Sequence, residues 1–254
     1  MNQYKGYLID LDGTMYRGSE RIEAAGRFVK RLHEQSIPYL FVTNNSTKKQ
    51  EDVAKVLSHH NIIADPSMIV TTSMATASYI HDQKPNATVY AVGEEGLFHA
   101  LRETGHIVTD QPEADFVVIG LDRAVTYEKL ARACLAVRNG ATFISTNGDV
   151  ALPTERGLLP GNGSITSVVT VSTGQQPIFI GKPESVITEQ ALKIIQLQKE
   201  EVVMVGDNYD TDILAGINAG IDTLLVFTGV TQKEHLSKYQ VQPTYTIDSL
   251  DDWN

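Results

Sequence analysis

Gly6-Tyr7-Leu8-Ile9-Asp10-Leu11-Asp12-Gly13-Thr14 is the stretch whose reading decides the fold. The four residues before Asp10 form a short apolar run bounded by turn-permissive residues, the pattern of a buried strand. Two carboxylates therefore stand where a strand ends. In an open α/β sheet ligands bind beyond the carboxyl ends of the strands, so both acids are expected to face a pocket. Asp10 and Asp12, one residue apart, could share a hard cation through oxygen ligands, or one could attack while the other moves protons. Gly13 lets backbone approach a ligand closely. An ordinary acidic turn would use the same residue types, so the rest of the chain has to choose.

Working outward, Tyr39-Leu40-Phe41-Val42 reads as a second buried strand ending in Thr43-Asn44-Asn45-Ser46, just before a helical pattern over Lys48 to His60. Hydroxyl and amide groups there suit an anion, and Ser46 or Thr47 would equally cap the helix. Met68-Ile69-Val70 and a helix over Ser73 to His81 continue the alternation until Asp82-Gln83-Lys84-Pro85-Asn86 interrupts it as a linker. Strands Thr88 to Val92, Phe116 to Ile119 and Thr142 to Ser145 then alternate with helices Glu95 to Thr104 and Tyr127 to Asn139. This second α/β unit closes at the breaker-rich Ser172 to Pro177. Ile178-Phe179-Ile180 is expected to resume the first sheet and to deliver Lys182 as a fixed positive charge. Val202-Val203-Met204-Val205 leads to a second acidic cluster, Gly206-Asp207-Asn208-Tyr209-Asp210-Thr211-Asp212, before a helix over Thr211 to Ala219 and the strand Asp222 to Val226, with Gln232 to Tyr239 a further candidate helix.

Composition excludes several classes. A net charge of -10 over 254 residues argues against nucleic-acid or anionic-membrane partners, which call for basic patches. No apolar run approaches a membrane span and the start Met1-Asn2-Gln3 lacks the regions of a signal peptide, so a cytoplasmic protein is expected. The single cysteine, Cys134, reads as a buried structural thiol. None of the seven histidines has zinc-ligand spacing, and His59-His60 at a helix end reads as solvated surface. A nucleotide P-loop fails because six residues rather than four separate Gly174 from Gly181, and Pro183 stands where Ser or Thr is needed. An EF-hand fails because Asp212 fills its glycine position.

Asp10-Leu11-Asp12-Gly13-Thr14, Thr43-Asn44, Lys182 and Gly206-Asp207 with Asp212 resemble, in order, the four motifs of the haloacid dehalogenase superfamily. The resemblance implies a Rossmann-like parallel-sheet α/β core, here 1–81 with 178–254, and an inserted α/β cap at 82–177. Only 28 residues separate Thr14 from Thr43, whereas 138 separate Thr43 from Lys182, so the cap must lie in the second gap. That is similar to the NagD and p-nitrophenylphosphatase-like branch, whose cap carries a Thr-Asn-Pro-Asp-like stretch. Here it reads Thr146-Asn147-Gly148-Asp149, followed by Gly161-Asn162-Gly163-Ser164, and on turn composition alone both would be cap loops.

The resemblance implies Mg²⁺-dependent hydrolysis of small phosphomonoesters, sugar phosphates or nucleoside monophosphates, through an aspartyl phosphate. Asp10 would be the nucleophile and Asp12 the acid and base. Asp10, Asp207 and the Asp12 carbonyl would hold the metal, and Thr43, Asn44 and Lys182 the phosphate oxygens. Asn208 and Asp212 would orient Lys182 or the metal's waters, with Asp210 competing. Asn147 and Asp149 are the cap residues expected to contact the substrate. Two unit charges 4 Å apart repel by about 4 kcal/mol at an effective dielectric of about 20, so a cation must offset the carboxylates and the phosphate. A phosphomutase is the first rival, disfavoured because mutases of the superfamily place a cap between the first two motifs. A catalytically silent binding module is the second, disfavoured because Asp10, Asp12, Lys182 and Asp207 are all present. The expected partner is a small phosphorylated metabolite, and an exposed cap helix could pair two copies.

Overall fold

The computed structural model describes residues 4–154 and 156–253; Met1 to Gln3, read above for the absence of a leader, lie outside the described residues. The chain divides into two compact units. One comprises the residues up to Thr43, Gln50–Val70 and the residues from Lys182 onward; the other comprises Asn44–Lys49 and Thr71–Gly181.

The first unit is built on a six-stranded sheet in the order Tyr245–Ile247, Asp222–Val226, Val202–Gly206, Gly6–Ile9, Tyr39–Thr43, Ile69–Thr71. Gly6–Ile9 runs parallel to both of its neighbours, with Leu8 opposite Met204 on one side and Leu40 on the other. Strands buried on both faces need continuous apolar runs rather than alternation, and all four residues of Gly6–Ile9 are buried. The amphipathic helix Glu23–Glu34 turns Ala25, Phe28, Val29 and Leu32 onto this sheet. There they join Ile9, Phe41, Val203 and Val205 in one core. Trp253 is buried in the same core and donates from its indole N–H to the Tyr7 hydroxyl at 3.1 Å, which explains the lone tryptophan as structural. Because the chain leaves the central strand in one direction to Tyr39–Thr43 and returns on the other side at Val202–Gly206, the crevice beyond Ile9 is a topological switch point.

The second unit holds a parallel five-stranded sheet in the order Ile178–Phe179, Thr142–Ser145, Phe116–Ile119, Thr88–Val92, Ile107–Thr109. Helix Tyr127–Arg138 buries Ala133, Cys134, Ala136 and Val137 against it, so the cysteine is a buried free thiol.

Three sequence expectations change here. Ile178–Phe179 pairs with Thr142–Ser145 rather than returning to the first sheet, and the Ile180 and Gly181 N–H groups continue that ladder to Ser145 and Thr146. The first unit therefore resumes at Lys182, not at 178. Helix Thr72–Gln83, placed with the first unit when the boundary is drawn at 81, belongs to the second: the Ser73 hydroxyl donates to the Ser46 carbonyl at 2.8 Å and the His106 ring meets the Ala77 carbonyl at 3.0 Å. Gly161 to Ser164, read as a loop, opens the helix Asn162–Thr173, which ends at Gly174 in the left-handed conformation that glycine favours. A glycine before the helix and another in its first turn, Gly161 and Gly163, mask its apolar stripe in a periodicity reading.

Candidate active site

Asp10 stands one residue beyond Ile9, and Asp207 one residue beyond Gly206 on the adjacent strand. The two carboxylates meet that of Asp212, with one oxygen of each lying within 4.8 Å of the others. The chain between them makes this closeness possible. A π-helical turn over Tyr209–Ile213 widens the backbone and brings Asp212 back against Gly206, where a Cβ would sit only 2.2 Å from the Asp212 Cβ. Gly13 serves Asp207 in the same way. Its φ is +95° and a Cβ there would lie 2.4 Å from the Asp207 Oδ2.

Lys182 enters this cluster almost fully buried. Its Nζ donates to Asp10 Oδ1 at 2.5 Å, to Asp212 Oδ1 at 2.7 Å and to the Val42 carbonyl at 3.0 Å, just before Thr43. Asp207 accepts from the Thr14 hydroxyl at 3.0 Å and from the Val230 N–H at 2.7 Å. Thr14 also lies 3.4 Å from Asp10 Oδ2. Neither Thr14 nor the loop that carries Val230 follows from strand-end reasoning alone, although Thr14 lies inside the opening motif. The sequence left Asp210, Asn208 and Asp212 as competitors for the place beside Lys182, and Asp212 occupies it. Asp210 is exposed. Asn208 builds the turn instead, its Oδ1 accepting from the Asp210 N–H at 3.0 Å and its own N–H donating to Asp212 Oδ2 at 3.1 Å.

Three buried carboxylates around one ammonium leave an excess of negative charge. Burial, followed by the neighbouring charge of Asp212, pushes the Asp10 carboxyl up to about 8 against the pull of Lys182. Burial and Asp212 also raise Asp207, to about 6. Burial opposes the charge on Lys182, yet Asp10 and Asp212 together hold its pKa above the ordinary lysine value. A site of hard oxygen donors that would otherwise keep its protons near neutrality is chemically suited to a divalent cation. Asp12 differs from these acids in being exposed, with its Oδ1 accepting from the Gly18 N–H at 3.3 Å.

Within the second unit, Asn44 is bonded from two directions. Its Nδ2 donates to the Asp149 carboxylate at 3.2 and 3.5 Å, and its carbonyl accepts from Asn147 Nδ2 at 2.9 Å and from the Thr72 hydroxyl at 3.1 Å. Asn147 Oδ1 in turn accepts from the Asp149 N–H at 3.2 Å. The two cap candidates are thus tied to Asn44 and to each other.

The family model described as haloacid dehalogenase-like hydrolase matches residues 7–107, and a related HAD-hydrolase-like model matches residues 179–253. The chain belongs to the haloacid dehalogenase-like hydrolases. It is 60% identical over 253 residues to 5′-nucleotidase YutF of Bacillus subtilis, covering 100% of this chain and 98% of that protein. It is 56% identical over 252 residues to an acid sugar phosphatase of Staphylococcus saprophyticus, covering 99% and 97%. Among solved structures, a double mutant of the thermostable NPPase from Geobacillus stearothermophilus superposes with a TM-score of 0.95 at 59% identity, covering 100% of this chain and 99% of that one. This haloacid dehalogenase-like enzyme is a phosphoric monoester hydrolase.

Proposed function

We propose that the enzyme releases phosphate from small phosphomonoesters, sugar phosphates or nucleoside monophosphates, in the cytoplasm and by way of an aspartyl phosphate at Asp10. The observation that carries this reading is the buried Asp10 carboxylate at the switch point, with one oxygen on the Lys182 ammonium and acidic neighbours that call for a cation. Asp10 Oδ2 attacks phosphorus as the ester P–O bond breaks, and Asp12 gives its proton to the departing alkoxide. In the second step Asp12 takes a proton from water, whose oxygen attacks phosphorus and frees Asp10 with release of inorganic phosphate. Thr43, Asn44 and Lys182 hold the non-bridging oxygens, because phosphoryl transfer is catalysed chiefly by positioning and charge stabilisation.

Asp10, Asp207 and the Asp12 carbonyl would hold Mg²⁺, which supplies charge neutralisation for carboxylates and phosphate at close quarters. Asp212 keeps Lys182 aimed at Asp10, and Asn208 keeps Asp212 in place. The second unit carries the residues assigned to substrate selection, Asn147 and Asp149, which hold Asn44. The names of the relatives, a 5′-nucleotidase and an acid sugar phosphatase, support the two substrate classes.

Phosphate release from a panel of such esters, measured with Mg²⁺ and with a chelator, tests the reading. Turnover should need the metal and should fall by roughly 10³-fold or more in Asp10→Asn, since a nucleophile has no substitute. Appreciable metal-dependent hydrolysis by that variant would reject Asp10 as nucleophile.

A further inference from the structure

Beside the acidic cluster, and wholly within the first unit, lies an open cleft of about 520 Å³ lined by Asp12, Arg17, Phe227, Thr228, Val230 and Gln232, among others. That size suits a small metabolite. The cleft adjoins the catalytic carboxylates through its own walls. The Val230 N–H donates to Asp207, and the Thr228 hydroxyl donates to the Gly13 carbonyl at 2.7 Å. Asp12 can protonate a departing alkoxide only if the leaving group stands next to it, and Asp12 borders this cleft.

Arg17 is the cation among the described lining residues. It sits on the short hairpin Tyr16–Arg17 and Glu20–Arg21, whose turn residue Gly18 also donates to the Asp12 carboxylate. Its Nε donates to the Thr228 carbonyl, which fixes one edge of the guanidinium against the cleft loop. No carboxylate pairs with Arg17 among the described residues, although Glu20 faces it across the hairpin and most of the other arginines are matched with acids. Among the described residues the two Nη groups have no protein partner. In a chain of net charge -10, a permanently charged fork held on one edge and open on the other, beside the proton donor, is a receptor for an anion. The planar fork matches a carboxylate through two parallel, charge-assisted bonds.

We propose that Arg17 determines specificity on the leaving-group side by binding a carboxylate carried by the leaving group. This inference rests on the proposed phosphatase reading, with Asp12 as proton donor, and adds phosphorylated hydroxy acids to the two ester classes named there. A neutral polyol would receive only single, weaker bonds from the same fork. The nearby cation Lys233 is engaged by Asp248, and the Gln232 amide by the Gly229 carbonyl, so neither duplicates Arg17.

The test compares kcat/KM for two esters on one three-carbon skeleton, 3-phosphoglycerate and glycerol 3-phosphate, in the wild type, Arg17→Gln and Arg17→Lys. The ratio of the first to the second should fall at least tenfold in Arg17→Gln and by an intermediate amount in Arg17→Lys, which keeps the charge and loses the fork. Arg17→Lys also supplies the reading if Arg17→Gln does not fold. If Arg17 merely props the Thr228 loop, both esters lose equally and the unmoved ratio overturns this inference alone. A wild type that turns over neither ester with Mg²⁺, nor any other member of a phosphomonoester panel, overturns the phosphatase reading and this inference with it.

Discussion

Asp10, Asp207 and Asp212 share a volume from which water is largely excluded, and Lys182 alone among them carries positive charge. The consequence for stability has a definite sign. Asp10 is raised to about 8 and Asp207 to about 6 in the folded chain, above the ordinary carboxylate value of 3.8 that the unfolded chain adopts. Below pH 4 both states hold these protons and the contribution to stability is fully present. As pH rises the unfolded chain ionises first, so that contribution is lost up to about pH 8. Metal-free enzyme should therefore lose stability between pH 5 and 8, measured as melting temperature. Asp10→Asn removes the principal ionisation and should be more stable than the metal-free wild type at pH 8, with the difference shrinking toward pH 5. A difference between the two that does not change over this range would show that Asp10 is ionised throughout.

At the scale of elements, what matters is how loops at strand ends are held. Thr146 to Asp149 follows the strand Thr142–Ser145 and is tied down by the Asn162 side chain, which donates to the Asn147 carbonyl at 2.9 Å from the first turn of its helix. The same loop grips Asn44 through Asp149 and Asn147. Asp149→Ala removes an acceptor of the Asn44 amide and should lower kcat/KM by about tenfold, the scale expected when a charge-assisted hydrogen bond that positions a group proposed to bind phosphate is lost. The loss should be similar for sugar phosphates and nucleotides if Asp149 acts through Asn44. A reordering of the substrate panel would instead make Asp149 a direct contact to the leaving group. The π-helical turn over Tyr209–Ile213 is a second such device. It stands where the sequence predicts a regular helix from Thr211, and it carries Asp212, which meets Lys182, a partner 30 positions away.

On the scale of the whole molecule, the chain carries its acidic excess into the site, so a divalent cation should stabilise the fold as well as the reaction. Ligand that binds only the folded state adds stability by mass action, about 2.7 kcal/mol at a hundred times its dissociation constant. Thermal unfolding at pH 7.5 should accordingly shift upward with Mg²⁺, reverse on chelation, and shift far less in Asp207→Asn. An equal shift in that variant would place the cation elsewhere. No helix among the described residues is long and apolar enough to cross a membrane.

The strands and their terminal residues were legible because each depends on local pattern. Buried parallel strands must be apolar throughout, and Gly6–Ile9, Tyr39–Thr43 and Val202–Gly206 are, so Asp10, Thr43 and Asp207 could be placed at strand ends from the sequence alone. The large gap between Thr43 and Lys182 likewise announced a second α/β unit. What the sequence could not settle are pairings between distant segments of similar character. Ile178–Phe179 is as apolar as a strand of the first sheet and joins the second because its hydrogen-bonding partner, Thr142–Ser145, is there. Asp210 and Asp212 are chemically alike, and only the backbone's path decides which one meets Lys182. His60, read as solvated surface, stacks on Tyr16 at 4.5 Å because a turn more than forty residues away brings that ring to it. Arg17 and the loop from Thr228 to Val230 have no pattern of their own, and only the fold ties the Arg17 side chain to the Thr228 carbonyl and the Val230 N–H to Asp207. Side-chain periodicity is a property of neighbours along the chain and is written in the sequence; the choice among chemically equivalent partners is made by long-range packing, and only the tertiary structure holds it.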